Sequence, residues 1–279
     1  MLLRTARAAL YVVPPLELLL LVMLAAGVPL PTPVLVAAET GVAAVLALEL
    51  LVARRLFRAE RRGGAGRRVA LSATVAHLVP PLVRRLLELE VRGLAAIALF
   101  AVRRRPAVPP GAVAAPYARE QAPMLLVMLF LMVVETAGID LLLVSLDVPA
   151  VARVTVLVLD VYGIVFALAL GASCALRPHV VSAGELRVRF GEYLDARVPR
   201  ALISSVRQVR NYNEGGMVSV ADDRLVVAVS SQTNVVVELA GPVTVVRPLG
   251  GRAEVRSIRF FADDPAAVVR ALRAPAVTA

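Results

Sequence analysis

Two long apolar runs joined by one short polar turn constrain this chain more than any other feature. Residues 123–146 read PMLLVMLFLMVVETAGIDLLLVSL, residues 154–176 read VTVLVLDVYGIVFALALGASCAL, and DVPAVAR joins them. An α-helix rises about 1.5 Å per residue, so roughly 20 apolar residues match a hydrocarbon core of about 30 Å. Each run meets that length, and the pair reads as a transmembrane hairpin. Composition agrees: 59% of the residues are hydrophobic and the mean hydropathy is +0.77, outside the range of an ordinary soluble domain.

Two earlier runs extend the pattern. Residues 8–28 follow Arg4 and Arg7 in the manner of a signal peptide, but Pro14, Pro15 and Glu17 interrupt the apolar core, which favours an uncleaved first span. A proline-rich turn, VPLPTP, leads to a second span at 34–53. Next comes RRLFRAERRGGAGRR, with Arg54, Arg55, Arg58, Arg61, Arg62, Arg67 and Arg68. Arginine-rich short loops stay on the cytoplasmic side, which places the N-terminus inside and the VPLPTP turn outside.

Residues 69–102 are apolar only in short pieces, cut by Arg84 and Arg85 and ended by Arg103, Arg104 and Arg105. Charges interleaved with leucines at helical spacing point to amphipathic helices lying in the cytoplasmic interface; re-entrant or short tilted spanning helices are the alternatives. All these arginines are candidate contacts for anionic lipid head groups. Residues 103–122, rich in proline, read as a linker. The hairpin then goes out and back, so the remainder is cytoplasmic.

From residue 177 the pattern changes to short runs rich in β-branched residues: ELRVRFG, YLDARVP, ALISSVRQV, MVSVA, RLVVAVS, NVVVELA, PVTVVRP and EVRSIRFFA. Turn signals fall at Asp222-Asp223, Gly241-Pro242 and Gly250-Gly251, and Gly215-Gly216 reads as a hairpin turn. Leu186, Val188 and Phe190 alternate with Arg187 and Arg189, as in a half-buried strand. The last segment, ADDPAAVVRALR, has an Asp cap, a proline at the first helical position and an apolar face of Val268, Val269 and Leu272. The expected fold is a membrane α-helical bundle of four transmembrane helices plus interfacial helices over residues 1–176, then a small α+β, mostly antiparallel β domain over 177–279.

The segment RPHVVSAGELRVRFG, followed by VPRALISSVR with Pro199, Ile203 and Val206 in a helix-like step, resembles the opening of bacterial PH-like domains that follow transmembrane segments. The architecture as a whole resembles integral membrane proteins of high-GC Gram-positive bacteria. The resemblance implies a PH-like fold for the last third of the chain and carries over no ligand-binding residue.

Carboxylates within apolar runs are the sharpest chemical feature. Glu17 and Glu135 fall near the middle of their spans, and counting places Glu39, Asp140 and Asp160 about five to seven residues, roughly 8–11 Å, from the external end of theirs. Charges in the bilayer are costly and normally face a bundle interior. The five acids are therefore candidates for an intramembrane polar site holding a cation or relaying protons; neutral, hydrogen-bonded packing groups are the alternative reading.

Other chemistry finds little support. His77 and His179 have no second metal-ligating neighbour, Cys174 is the sole cysteine, and no nucleophile elbow, Walker A or GxGxxG pattern is present. The formal charge of +10 comes from arginine alone, without lysine, as GC-rich coding produces, and the absence of tryptophan argues against base-stacking platforms. The sequence thus predicts a multi-pass membrane protein, both termini cytoplasmic, whose β domain is a non-enzymatic protein- or lipid-interaction module. Expected partners are the anionic bilayer surface, a protein and a second copy of the chain, without cofactor, metal or nucleic acid. The rival reading is a small oligomeric transporter that uses the intramembrane acids.

Overall fold

Proline and glycine punctuate the first described helices. The computed structural model describes residues 31–104 and 108–274. Helix α1 (Thr32–Arg62) has a proline in its first turn and ends at Gly63, and Gly64 takes the left-handed conformation (φ 84°) that turns the chain into α2 (Arg67–Leu78). Val79 is extended, as the residue before a proline is forced to be, and α3 (Pro81–Ala101) follows. Residues 69–102 are thus two helices broken at Pro80.

Helices α4 (Ala118–Ser145) and α5 (Ala150–Leu176) form the hairpin, reversing through Asp147 (φ 50°). Among the described residues these two are long and apolar enough to cross a membrane. None of the most apolar stretch of α4, and 17% of that of α5, is buried within the protein. Leu126, Phe130, Leu141 and Leu159 are all more than 60% exposed. A core helix of a soluble protein is covered, whereas these faces suit contact with lipid. Four spans were expected, and two helices among the described residues have the length and apolarity of one: the segment at 34–53 is the first part of α1, which runs on through Arg54–Arg62, and the segment at 8–28 lies outside the described residues.

The chain divides into two compact units. Of the described residues, one holds 31–86 with Gly138–Leu159; the other holds 87–104, 108–137 and 160–274. In the first, α1 packs on α2, and Asp140 pairs with Arg153 across the hairpin turn.

The second unit is built on two sheets. A four-stranded antiparallel sheet has the order β1 (Val113–Ala115), β2 (His179–Val181), β3 (Glu185–Phe190), β4 (Leu194–Pro199). A five-stranded sheet has the order β5 (Ile203–Asn211), β8 (Thr233–Val246), β9 (Arg252–Phe260), β7 (Arg224–Val227), β6 (Val218–Ala221), with β7 and β9 parallel. Helix α6 (Pro265–Arg273) starts at Asp264, whose Oδ1 accepts from the Ala267 N–H at 2.9 Å, and it buries Val268, Val269 and Leu272. Its C-terminal carbonyls are capped from outside: the Arg200 guanidinium donates to the oxygens of Ala271 (2.7 Å), Leu272 (2.8 Å) and Ala274.

Several expectations need correction. The linker at 103–122 contributes β1 to the sheet, and Tyr117 after it is fully buried, because the His179–Val181 edge offers unpaired backbone groups. Gly241-Pro242 is no turn: β8 runs through it as one 14-residue strand, and the register shift between Glu238 and Val243 absorbs the proline in a bulge. Gly215-Gly216 is no hairpin turn either, since β5 and β6 occupy opposite edges of their sheet. The step after Pro199 is a single 3-10 turn (Arg200–Leu202), and Ile203 already belongs to β5. Asp222-Asp223 does turn β6 into β7, with both residues at positive φ (51° and 55°) as a two-residue type I′ hairpin requires.

Candidate functional site

Four of the five candidate acids of the apolar runs lie among the described residues. Glu39 and Glu135 are exposed. Asp140 accepts from the Arg153 guanidinium at 3.3 Å, which neutralises it locally. Asp160 is half-buried, and its Oδ2 has no hydrogen-bond partner among the described residues. Glu17 lies outside them. No three His, Cys, Asp or Glu side chains come together as a metal site among the described residues.

The arginines expected to meet lipid fall into two sets. Arg54, Arg55, Arg58, Arg61 and Arg62 are exposed on α1 and Arg67 and Arg68 on α2, while Arg84 and Arg85 are half-buried. Arg103 and Arg104 are exposed just beyond α3, and Arg105 lies outside the described residues.

Arg104 belongs to a more organised place. In the second unit a cleft of about 440 Å³ is lined by Arg92, Ala95, Ala96, Leu99 and Arg104, by Leu176 and Arg177 at the end of α5, and by Arg189 and Glu192 of the β3–β4 hairpin. Three local features put these side chains together. Gly93 lets α3 approach α5 closely, since a Cβ there would lie 3.1 Å from that of Ala169, and Tyr162 of α5 donates to Glu90 of α3 at 2.6 Å. Arg92, Ala95, Ala96 and Leu99 recur at helical spacing and share one face of α3. The third is the β3–β4 turn, where Gly191 (φ 47°) lies so close to Ser173 and Cys174 of α5 that a side chain has no room.

That turn is also fixed by hydrogen bonding. The Gly191 N–H donates to the Tyr117 hydroxyl (2.8 Å), whose pKa burial pushes well above the ordinary phenol value. The Tyr117 ring stacks on His179 at 4.4 Å. His179 is fully buried; its Nδ1 accepts from the Arg189 N–H (3.0 Å), so Nε2 carries the proton and donates to the Phe261 oxygen at 2.9 Å. Burial holds its pKa down at about 4, with the Arg189 charge adding to the effect and the Phe261 hydrogen bond opposing it.

Electrostatically the cleft has more cations than anions. Arg177 pairs with Glu192 and, at 3.3 Å, with Asp195; Asp195 also accepts from Arg187 and lies 3.7 Å from Arg189. One carboxylate thus serves three guanidinium groups. Arg92 reaches Glu88 at 3.7 Å on an exposed surface, where such a pair is weak. Arg189 is only 6% exposed, its Nε has no hydrogen-bond partner among the described residues, and its Nη1 reaches the Pro178 oxygen at a long 3.4 Å. Burial and the neighbouring Arg187 charge lower its pKa against the pull of Asp195. The half-buried strand inferred for β3 therefore has its arginine face covered as well.

Arg92, Arg177 and Arg189 were not among the arginines that the sequence marked as candidate contacts. The signal for Arg92 was present, an arginine heading a stripe of small and apolar residues, but Arg189 enters the site only through the fold of β3 against α5. Comparison with protein-family models, with curated proteins and with solved structures finds no match.

Proposed function

We propose that this chain is a non-enzymatic integral membrane protein whose C-terminal sheet domain is held at the cytoplasmic bilayer surface as a lipid-interaction module. The reading rests on one observation: the β3–β4 turn packs through Gly191 on Ser173 and Cys174, in the last turn of an apolar helix that the protein leaves uncovered over most of its length. A domain built onto the end of such a helix is kept within a side chain's reach of the head groups, and its arginines supply the complementary charge. The finer architecture belongs to the same proposal: four crossings, arginine-rich loops and both termini inside, and a PH-like character for the sheet domain, as in the membrane proteins of high-GC Gram-positive bacteria that the sequence resembles.

Alkaline extraction of membranes from cells expressing the full chain tests the anchor, and a photo-reactive residue in place of Arg104 tests the contact. The expected outcome is retention in the membrane pellet and a crosslink to phospholipid. Release of the chain at high pH, or a membrane-retained chain that crosslinks to protein and never to lipid, contradicts the reading.

A further inference from the structure

We infer that the cleft between α3, the end of α5 and the β3–β4 hairpin is a binding site for the phosphate of a single anionic phospholipid. This rests on the membrane reading above and goes further, from a charged surface to one built pocket. Its volume, about 440 Å³, falls within the roughly 300–1,000 Å³ usual for small-ligand sites. Four guanidinium groups line it against one carboxylate, Glu192, which Arg177 already occupies. The paired donors of a guanidinium match phosphate oxygens bidentately.

Arg189 carries the argument beyond charge counting. A cation 94% removed from solvent needs partners for its donors, since an unmet buried donor is costly. Yet its Nε makes no hydrogen bond among the described residues, and Asp195, 3.7 Å away, is shared with Arg177 and Arg187. Arg189 also lines the cleft, so an acceptor anion bound there stands beside a guanidinium that Asp195 only partly neutralises.

The lining also indicates the form of that anion. Ala95, Ala96, Leu99 and Leu176 give the cleft an apolar wall beside its arginines, and Leu176 is the last residue of an apolar 27-residue helix. A phosphate carried on an apolar stem fits both walls, whereas free phosphate would use the charged one alone. Head groups sit where spanning helices end, so the lipid is delivered to the cleft by its position in the bilayer.

The test uses the full chain purified in zwitterionic detergent and followed by thermal unfolding with added dioctanoyl phosphatidylglycerol, dioctanoyl phosphatidylcholine or inorganic phosphate. Near-saturating phosphatidylglycerol is expected to raise the melting temperature by roughly 5–10 °C, with a smaller rise for inorganic phosphate and none for phosphatidylcholine. The double variant Arg92→Gln/Arg104→Gln changes two exposed side chains and spares the buried Arg189; it should melt like the parent without lipid and lose most of the phosphatidylglycerol shift. Arg67→Gln/Arg68→Gln, also exposed but outside the cleft, should keep it. Equal shifts with phosphatidylcholine, equal shifts with inorganic phosphate, or a full shift in the Arg92/Arg104 variant each overturn the inference. Such a failure in a chain that still resists alkaline extraction removes the pocket and leaves the membrane reading standing.

Discussion

Asp195 answers three arginines with one carboxylate. Burial alone would raise its pKa, but the Arg187 hydrogen bonds and the charges of Arg187, Arg189 and Arg177 outweigh it and hold the carboxyl below its ordinary value. Asp195→Asn removes the shared counter-charge and leaves the half-buried guanidinium groups to repel one another. The expected loss is about 2–3 kcal/mol, seen as a lower unfolding midpoint in denaturant. His179 makes stability depend on pH in a different window. Its folded pKa of about 4 lies below the 6.5 of an exposed imidazole, so the folded state stays neutral while the unfolded state takes up a proton. The stability it secures is complete above pH 6.5 and falls by on the order of 3 kcal/mol as pH drops toward 4. His179→Gln should flatten that part of the stability profile, measured by unfolding at a series of pH values. Neither role was legible in the sequence: Asp195 is one acid in YLDARVP, and the burial of His179 depends on a tyrosine 62 positions earlier.

At the scale of elements, packing turns on a few glycines. Gly171 on α5 lies against Leu125 of α4, whose Cδ2 would be 2.2 Å from a Cβ there and must shift to admit one, and Gly163 has Met132 at 3.2 Å from where its Cβ would be. Gly138 on α4 has open space around it among the described residues. Gly171→Val should therefore lower the melting temperature of the detergent-solubilised chain by roughly 5 °C or more, while Gly138→Val should leave it nearly unchanged. The helical hairpin was legible in the sequence because length and apolar continuity decide it. Most strands were legible from alternation and turn residues, and α6 from its cap and its proline. Strand β1 was not, because three residues in a proline-rich stretch carry no periodicity and pair only once β2 exists. The continuity of β8 was hidden for a related reason: Gly241-Pro242 has the local grammar of a turn, and pairing with β9 on either side overrides it. Of the cleft's arginines only Arg104 stood among the sequence's candidates, since arginines beside apolar runs do not say which of them a fold will gather.

For the whole molecule, everything depends on the α4–α5 hairpin lying in a bilayer with the sheet domain on its cytoplasmic side. Arginine bias gave that orientation, and the uncovered apolar faces of α4 and α5 agree with burial in lipid. The native Cys174 is only 2% exposed, so a Cys174→Ala background permits single-cysteine mapping. Leu146 in the hairpin turn and Leu249 before β9 are each 64% exposed, and either tolerates replacement by cysteine. The decisive measurement is labelling of Leu146→Cys and Leu249→Cys by a membrane-impermeant maleimide in intact and in permeabilised cells. Intact cells are expected to label position 146 alone and permeabilised cells both; labelling of position 249 in intact cells would contradict a cytoplasmic sheet domain.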